Sequence, residues 1–200
     1  MQRKRRLLDE QIMGTAPARH DTVPLLQIPT LDTILHVHAA ALGGDFEGYR
    51  NHVYRVANLC VAQLAGSAEE IEKTAVAAAF HDLGIWTDRT FDYLSPSASL
   101  ARAYLTNSGR ADWIPEITET IFGHHKVSRY RGPDGWLVEP FRRADWMDVS
   151  MGVITFGLSR RLFEAALSLW PRAGFHKRLV QLALRRARTH PWSPLPMVRL

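Results

Sequence analysis

In Ala75-Val76-Ala77-Ala78-Ala79-Phe80-His81-Asp82-Leu83-Gly84, an apolar, alanine-rich segment runs straight into an adjacent histidine and aspartate. An imidazole nitrogen beside a carboxylate suits a borderline or hard divalent ion such as Zn, Mn or Fe. Successive residues of a helix point about 100° apart, so both reach one ion only near a helix end, where the backbone relaxes. Gly84 is expected to end that helix in a left-handed turn. A His-Asp pair alone is more often a surface dyad or a buried, hydrogen-bonded histidine than a ligand pair. Its weight comes from residues of the same chemistry elsewhere in the chain: His52, the pair His124-His125, and Asp145.

The elements that must position these residues read as helices. Thr30 can cap a helix over about 30–42, closed by Gly43-Gly44. Its His36 and His38 stand two apart, on different faces, and read as structural. Over about 48–65, Tyr49, Val53, Val56, Cys60 and Leu64 recur at three- and four-residue steps, an apolar stripe with His52 beside it. Cys60 has no evident neighbour to stabilise a thiolate and is expected to be buried. Ser67 and Glu70 form a capping box for the helix that leads to His81-Asp82. Ser95-Pro96 reads as the N-cap and first turn of a helix to about 107. Pro115 stands in the first turn of the next, which ends at His124-His125-Lys126. A polar loop over 128–135 follows. Pro140 is then expected to open a helix carrying Asp145 and Asp148, with two more around 152–169 and 174–189. Almost nothing alternates with a period of two over strand length, so the fold class is all-α. The organisation expected is a basic, flexible arm over 1–29, a single-domain helical bundle over 30–190, and a Pro-rich tail over 191–200.

Two hundred residues, 46% of them hydrophobic, are enough for one domain with a full core. A single cysteine excludes an intramolecular disulfide and fits a reducing compartment. The basic start Met1-Gln2-Arg3-Lys4-Arg5-Arg6 meets Asp9-Glu10 after only two leucines, so no signal peptide is expected. No uncharged apolar run approaches the ~20 residues of a membrane span, and a cytoplasmic location is expected. Charge is uneven. Residues 1–6 carry four basic groups and residues 165–200 carry seven with no acid, which leaves 14 Lys and Arg against all 20 acids between them. Basic ends could touch nucleic acid or a membrane surface; a solvated helix face docked on the acidic body is favoured.

Taken in order, His52-Val53-Tyr54-Arg55-Val56, His81-Asp82-Leu83-Gly84 and Arg143-Ala144-Asp145 resemble the HD superfamily of metal-dependent phosphohydrolases over about 48–150. The resemblance implies a helical bundle with the metal in its core, and His52, His81, Asp82 and Asp145 as ligands. Asp148 is expected outside the ligand set, supporting it. Within that superfamily, a histidine pair at the stage of His124-His125 occurs in forms that bind two or more ions, including cyclic dinucleotide phosphodiesterases. This chain departs from those: Ile85-Trp86 stands where a Lys is expected, and Arg131-Gly132-Pro133-Asp134-Gly135 only loosely echoes their Gly-Tyr-Pro signature. It has no His from Leu83 to Gly123, unlike the six-ligand oxygenase branch. Thr90-Phe91-Asp92-Tyr93, with the helix after it, also looks like the cyanamide-hydratase-like branch. One ion or two therefore stay open, as Mn, Fe, Zn, Co or Ni.

Two imidazoles and two carboxylates leave positions on such an ion for water and substrate. His124, His125 and Lys126 are the candidates for acid, base or charge-stabilising roles, one histidine of the pair facing the pocket and the other packing. Arg129 and Arg131, with Arg142-Arg143 ahead of Asp145, could hold an anionic group. The favoured function is a phosphohydrolase acting on a small phosphate ester or nucleotide. A hydratase, lyase or dinuclear-iron oxygenase on the same residues is the alternative, and a non-catalytic module binding nucleotide or nucleic acid is a third.

Overall fold

Helices supply the regular structure of the described residues. The computed structural model describes residues 24–198, and these contain, besides two 3-10 turns, Gly43–Asp45 and Ala111–Trp113, eight α-helices of nine residues or more and two short ones. In chain order they are α1 (Pro29–Val37), α2 (Ala39–Leu42), α3 (Phe46–Val61), α4 (Ala68–Phe80), α5 (Gly84–Thr87), α6 (Leu94–Asn107), α7 (Ile114–Gly123), α8 (Gly135–Val149), α9 (Arg160–Leu169) and α10 (Phe175–Thr189). The architecture is all-α, and no helix among the described residues is long and apolar enough to cross a membrane. Residues 1–23 of the basic arm lie outside the described residues. Of the rest of that arm, Ile28 is buried and the Leu25 amide donates to Asn58 Oδ1 at 2.6 Å.

Helix α3 is the axis of the fold, packed against α4, α8 and α9. It is enclosed nearly all round, so its polar residues Asn51, His52, Arg55 and Asn58 are buried along with its apolar stripe. Burial of a polar group is tolerable only with a partner. Asn51 Nδ2 donates to the Pro171 carbonyl at 2.8 Å, and Arg55 Nη1 donates to the Trp170 carbonyl at 2.7 Å. These bonds tie the α9–α10 connection to the axis. Cys60 is buried within the stripe, and burial pushes its thiol up to about 12.

Helix α4 opens with the capping box: Ser67 Oγ accepts from the Glu70 amide and Glu70 Oε2 from the Ser67 amide. Its last half is packed among α1, α3, α6 and α7. The alanines explain how, since small side chains let four helices approach one segment.

Several boundaries differ from the sequence reading. Thr30 does not cap α1; its hydroxyl donates to the Glu72 carboxylate at 2.8 Å, and the helix is interrupted at His38. Helix α6 begins at Leu94, without the Ser95 cap. Pro140 lies inside α8 and does not open it, the helix starting five residues earlier at Gly135. The segment expected to be helical from 152 is irregular up to Ser159, with left-handed backbone at Met151, Gly152, Phe156 and Gly157. Gly84 is not a left-handed helix stop either. A Cβ there would lie 2.7 Å from the Tyr93 carbonyl oxygen and 3.0 Å from the Ser97 amide. Glycine is required at this position for close approach of α6, not for its dihedral freedom.

Candidate metal centre

Four elements converge on one buried point. His52 sits on α3 and Asp145 on α8. His81 caps the C-terminus of α4, and Asp82 follows it in the turn before α5. His124 caps α7, with His125 next to it. His52, His81, His124 and Asp145 are fully buried and Asp82 is 1% exposed. The turn holding Asp82 is pinned from outside by the Gly84 amide, which donates to Ser97 Oγ at 3.0 Å.

Each buried imidazole is oriented by the nitrogen that faces away from the centre. His52 Nδ1 donates to Asp148 Oδ2 at 2.7 Å, His81 Nδ1 to the Ala78 carbonyl at 2.8 Å, and His124 Nδ1 to the Ile121 carbonyl at 2.7 Å. All three acceptors lack a hydrogen to give, so Nδ1 carries the proton and Nε2 is the inward donor atom. Phe175 stacks on His52 with ring centroids 4.0 Å apart, fixing its plane. Asp148 is itself held by Arg55, whose Nε and Nη2 donate to its two oxygens at 2.5 and 2.8 Å. Burial opposes the charge on Asp148, but the His52 and Arg55 bonds hold its carboxyl far below the ordinary range. Asp148 therefore backs the cluster without joining it.

The inward atoms stand at spacings that make sense around a shared cation. His52 Nε2 and His81 Nε2 are 3.0 Å apart, close enough to share a proton or a metal cation between them. Asp82 Oδ2 is 3.4 Å from His81 Nε2, and Asp145 Oδ1 is 3.6 Å from His52 Nε2 and 3.7 Å from His81 Nε2. Ligand atoms held 2.0–2.2 Å from one ion lie roughly 2.8–3.6 Å from one another, so these atoms are at or within about 0.1 Å of that range. Asp82 Oδ1, His124 Nε2 and both oxygens of Asp145 are buried without a hydrogen-bond partner. Buried polar atoms are nearly always paired, so four unpartnered ones converging on one point fit the ligand set of a cation.

The electrostatics point the same way. Burial lowers the basicity of His81, but the Asp82 and Asp145 carboxylates outweigh it and raise the imidazole to about 9. Burial likewise disfavours the Asp82 and Asp145 anions, and the surrounding histidines overcome it and keep both carboxyls below their usual range. The centre is built to attract positive charge. His125, by contrast, is pushed down to about 3 by burial and by His124 beside it.

Comparison with known proteins finds no matching family model, no matching curated protein and no matching solved structure.

Three overlapping triads could hold an ion: His52, His81 and Asp145; His81, Asp82 and His124; and His124, His125 and Asp145. All four ligands expected from the sequence thus meet, and His124 and His125 join them. The two histidines differ. His124 is enclosed, with Nε2 3.4 Å from Asp82 Oδ1. The His125 side chain is 13% exposed, with Nδ1 3.5 Å from Asp145 Oδ2 and Nε2 2.6 Å from the Tyr93 hydroxyl oxygen.

Asp82, Tyr93 and His125 line a cavity of about 250 Å³ whose other walls are apolar. Arg129 and Arg131 are exposed and line a separate surface hollow with Lys126. Arg142 is buried against Glu139 through paired bonds of 2.8 and 2.9 Å. Arg143 also bonds Glu139. His36 and His38 lie outside the centre, His36 Nδ1 bonding the Asp32 carbonyl and His38 packing edge-on against Phe80. Sequence reasoning missed Tyr93, Arg55 and Phe175 as supports, because their partners lie 32, 93 and 123 residues away.

Proposed function

We propose that this chain is a metal-dependent hydrolase of the HD superfamily, with His52, His81, Asp82 and Asp145 holding a divalent ion. The set of buried, unpartnered ligand atoms at ion-sharing spacings carries this reading. Imidazoles and carboxylates together suit Mn, Fe, Zn, Co or Ni. When bound, such an ion acidifies a water molecule and polarises the bond under attack. The chain's own residues supply orientation and a dry setting. Asp148, Ala78 and Ile121 fix the tautomer of the three buried imidazoles, so their Nε2 atoms are preorganised. His124 and His125, with Asp82 and Asp145 beside them, are the residues that would hold a second ion. With one ion only, His125 is the imidazole that faces the cavity, and burial with His124 beside it keeps it uncharged, so its role is to contact the substrate beside Tyr93.

The reaction proposed first is cleavage of a small phosphate ester. Hydration of a small uncharged, nitrile-like carbon is the second reading, and one observation favours it: the residues lining the cavity at Asp82 and His125 include no Lys or Arg. The test is turnover after purification and reconstitution with Mn, Fe, Co, Ni and Zn separately. Phosphoester cleavage that vanishes in Asp82→Ala supports the first reading; nitrile hydration with the same dependence supports the second. If neither class turns over with any metal demonstrably bound, the enzyme assignment is overturned.

A further inference from the structure

The cavity beside the centre has a polar floor and an apolar body. Its floor is Asp82, Tyr93 and His125. Phe91, Trp146 and Val149 form one side, while Leu179, Val180 and Ala183 of α10 form another. Leu195, Met197 and Val198 close it, so the last described segment folds back over the site, with Met197 buried. Apart from the floor, no lining residue carries a charged group or a side-chain hydroxyl. A nucleoside or sugar brings many hydrogen-bonding groups, and each one left unpaired on burial costs free energy. A cavity of about 150 Å³ is enough for benzene. One of about 250 Å³ therefore admits a ring or branched alkyl group plus a small reactive head.

We infer that this cavity receives the apolar, uncharged body of the substrate, with its reactive head at Asp82 and His125. The substrate class is a small aryl or branched-alkyl compound, not a nucleotide or a sugar phosphate. This inference rests on the metal-centre reading above and narrows what that centre acts on. The only polar groups among the lining side chains that could meet a reactive head are those of Asp82, Tyr93 and His125, which fixes the direction of entry, polar head toward them. Helix α10 supplies specificity through the size of residue 183, since a larger side chain there occupies the volume the ring would fill.

Two hydroxamates test it by calorimetric titration of the metal-loaded protein. Acetohydroxamate and benzohydroxamate carry the same metal-gripping head and differ in the body attached to it. Benzohydroxamate is expected to bind about tenfold tighter or better, from burial of the ring. Ala183→Phe is expected to erase that advantage while leaving the acetohydroxamate affinity and the metal content unchanged, which also shows that the variant is folded. Equal affinity for the two compounds in the parent protein overturns the inference, as does an advantage that survives Ala183→Phe. Elemental analysis separates the two levels: a parent protein that takes up no metal overturns the underlying reading, whereas metal bound with equal affinities overturns only the assignment of the cavity.

Discussion

Among single residues, the pair Asp148 and Arg55 shows how much of the centre is supported from behind. Both are buried, and Asp148 accepts from Arg55 twice while accepting from His52 once. Removing one partner of a buried ion pair leaves the other charge stranded, at a cost of about 3–5 kcal/mol. Asp148→Ala is expected to lose stability of that order in denaturant unfolding while retaining the ligand set. Asp148→Asn retains a carbonyl acceptor for the His52 N–H and is expected to weaken metal binding about 10–100-fold, read by competition with a chelator. Glu139 gives a pH signature away from the ligands. Burial opposes its charge, but bonds from Arg142, the Tyr130 amide and Arg143 hold its carboxyl at about 2. A depressed folded value means the stabilisation is complete above the unfolded value of about 4.3 and lost as pH falls toward 2. The stability gap between the parent and Glu139→Gln should therefore be constant above about pH 5 and shrink below it. A gap that stays constant down to about pH 2 would contradict the role given to Glu139.

Elements position the ligands through their ends more than their middles. His81 and Asp82 leave α4 at its C-terminus, and His124 and His125 leave α7 at its own, so the backbone bends just where two neighbours must reach inward. Gly84 sets the first of these bends by letting α6 approach. Gly84→Ala would force a Cβ to 2.7 Å from the Tyr93 carbonyl, and a cost of about 1–3 kcal/mol with weakened metal binding is expected in thermal and chelator titrations. Ser67→Ala, at the far end of α4, should cost about 1 kcal/mol and leave metal affinity alone. Signals confined to a few neighbouring residues were legible in the sequence: the capping box of α4, Pro115 at the start of α7, and the alanines under His81. Pro140 misled because the start of α8 has no side-chain cap to announce it, and nothing local distinguishes a proline tolerated in the sixth position from one in the first. Asp148 could be placed near Asp145 by helical spacing, but its grip on His52, 96 residues away, exists only in the folded chain.

At the scale of the whole fold, the described helices close around the proposed ion, because α3, the end of α4, the end of α7 and α8 each bring a ligand or candidate ligand to it. An ion that binds only the folded state stabilises it by mass action, by about 4 kcal/mol at a thousand times its dissociation constant. Chelation is therefore expected to lower the melting temperature as well as abolish activity, and the drop should disappear in a variant that has lost the site. His36→Ala, on α1 and outside the centre, should keep metal, activity and chelator sensitivity. The measurement that bears most directly on the metal centre is divalent metal per chain in the purified parent and in Asp82→Ala, with affinity read by chelator competition. At least one ion per chain is expected in the parent, and most of it should be lost when Asp82 is removed. A parent that binds none, or an Asp82→Ala variant that binds as tightly as the parent, would contradict the assignment of this buried cluster.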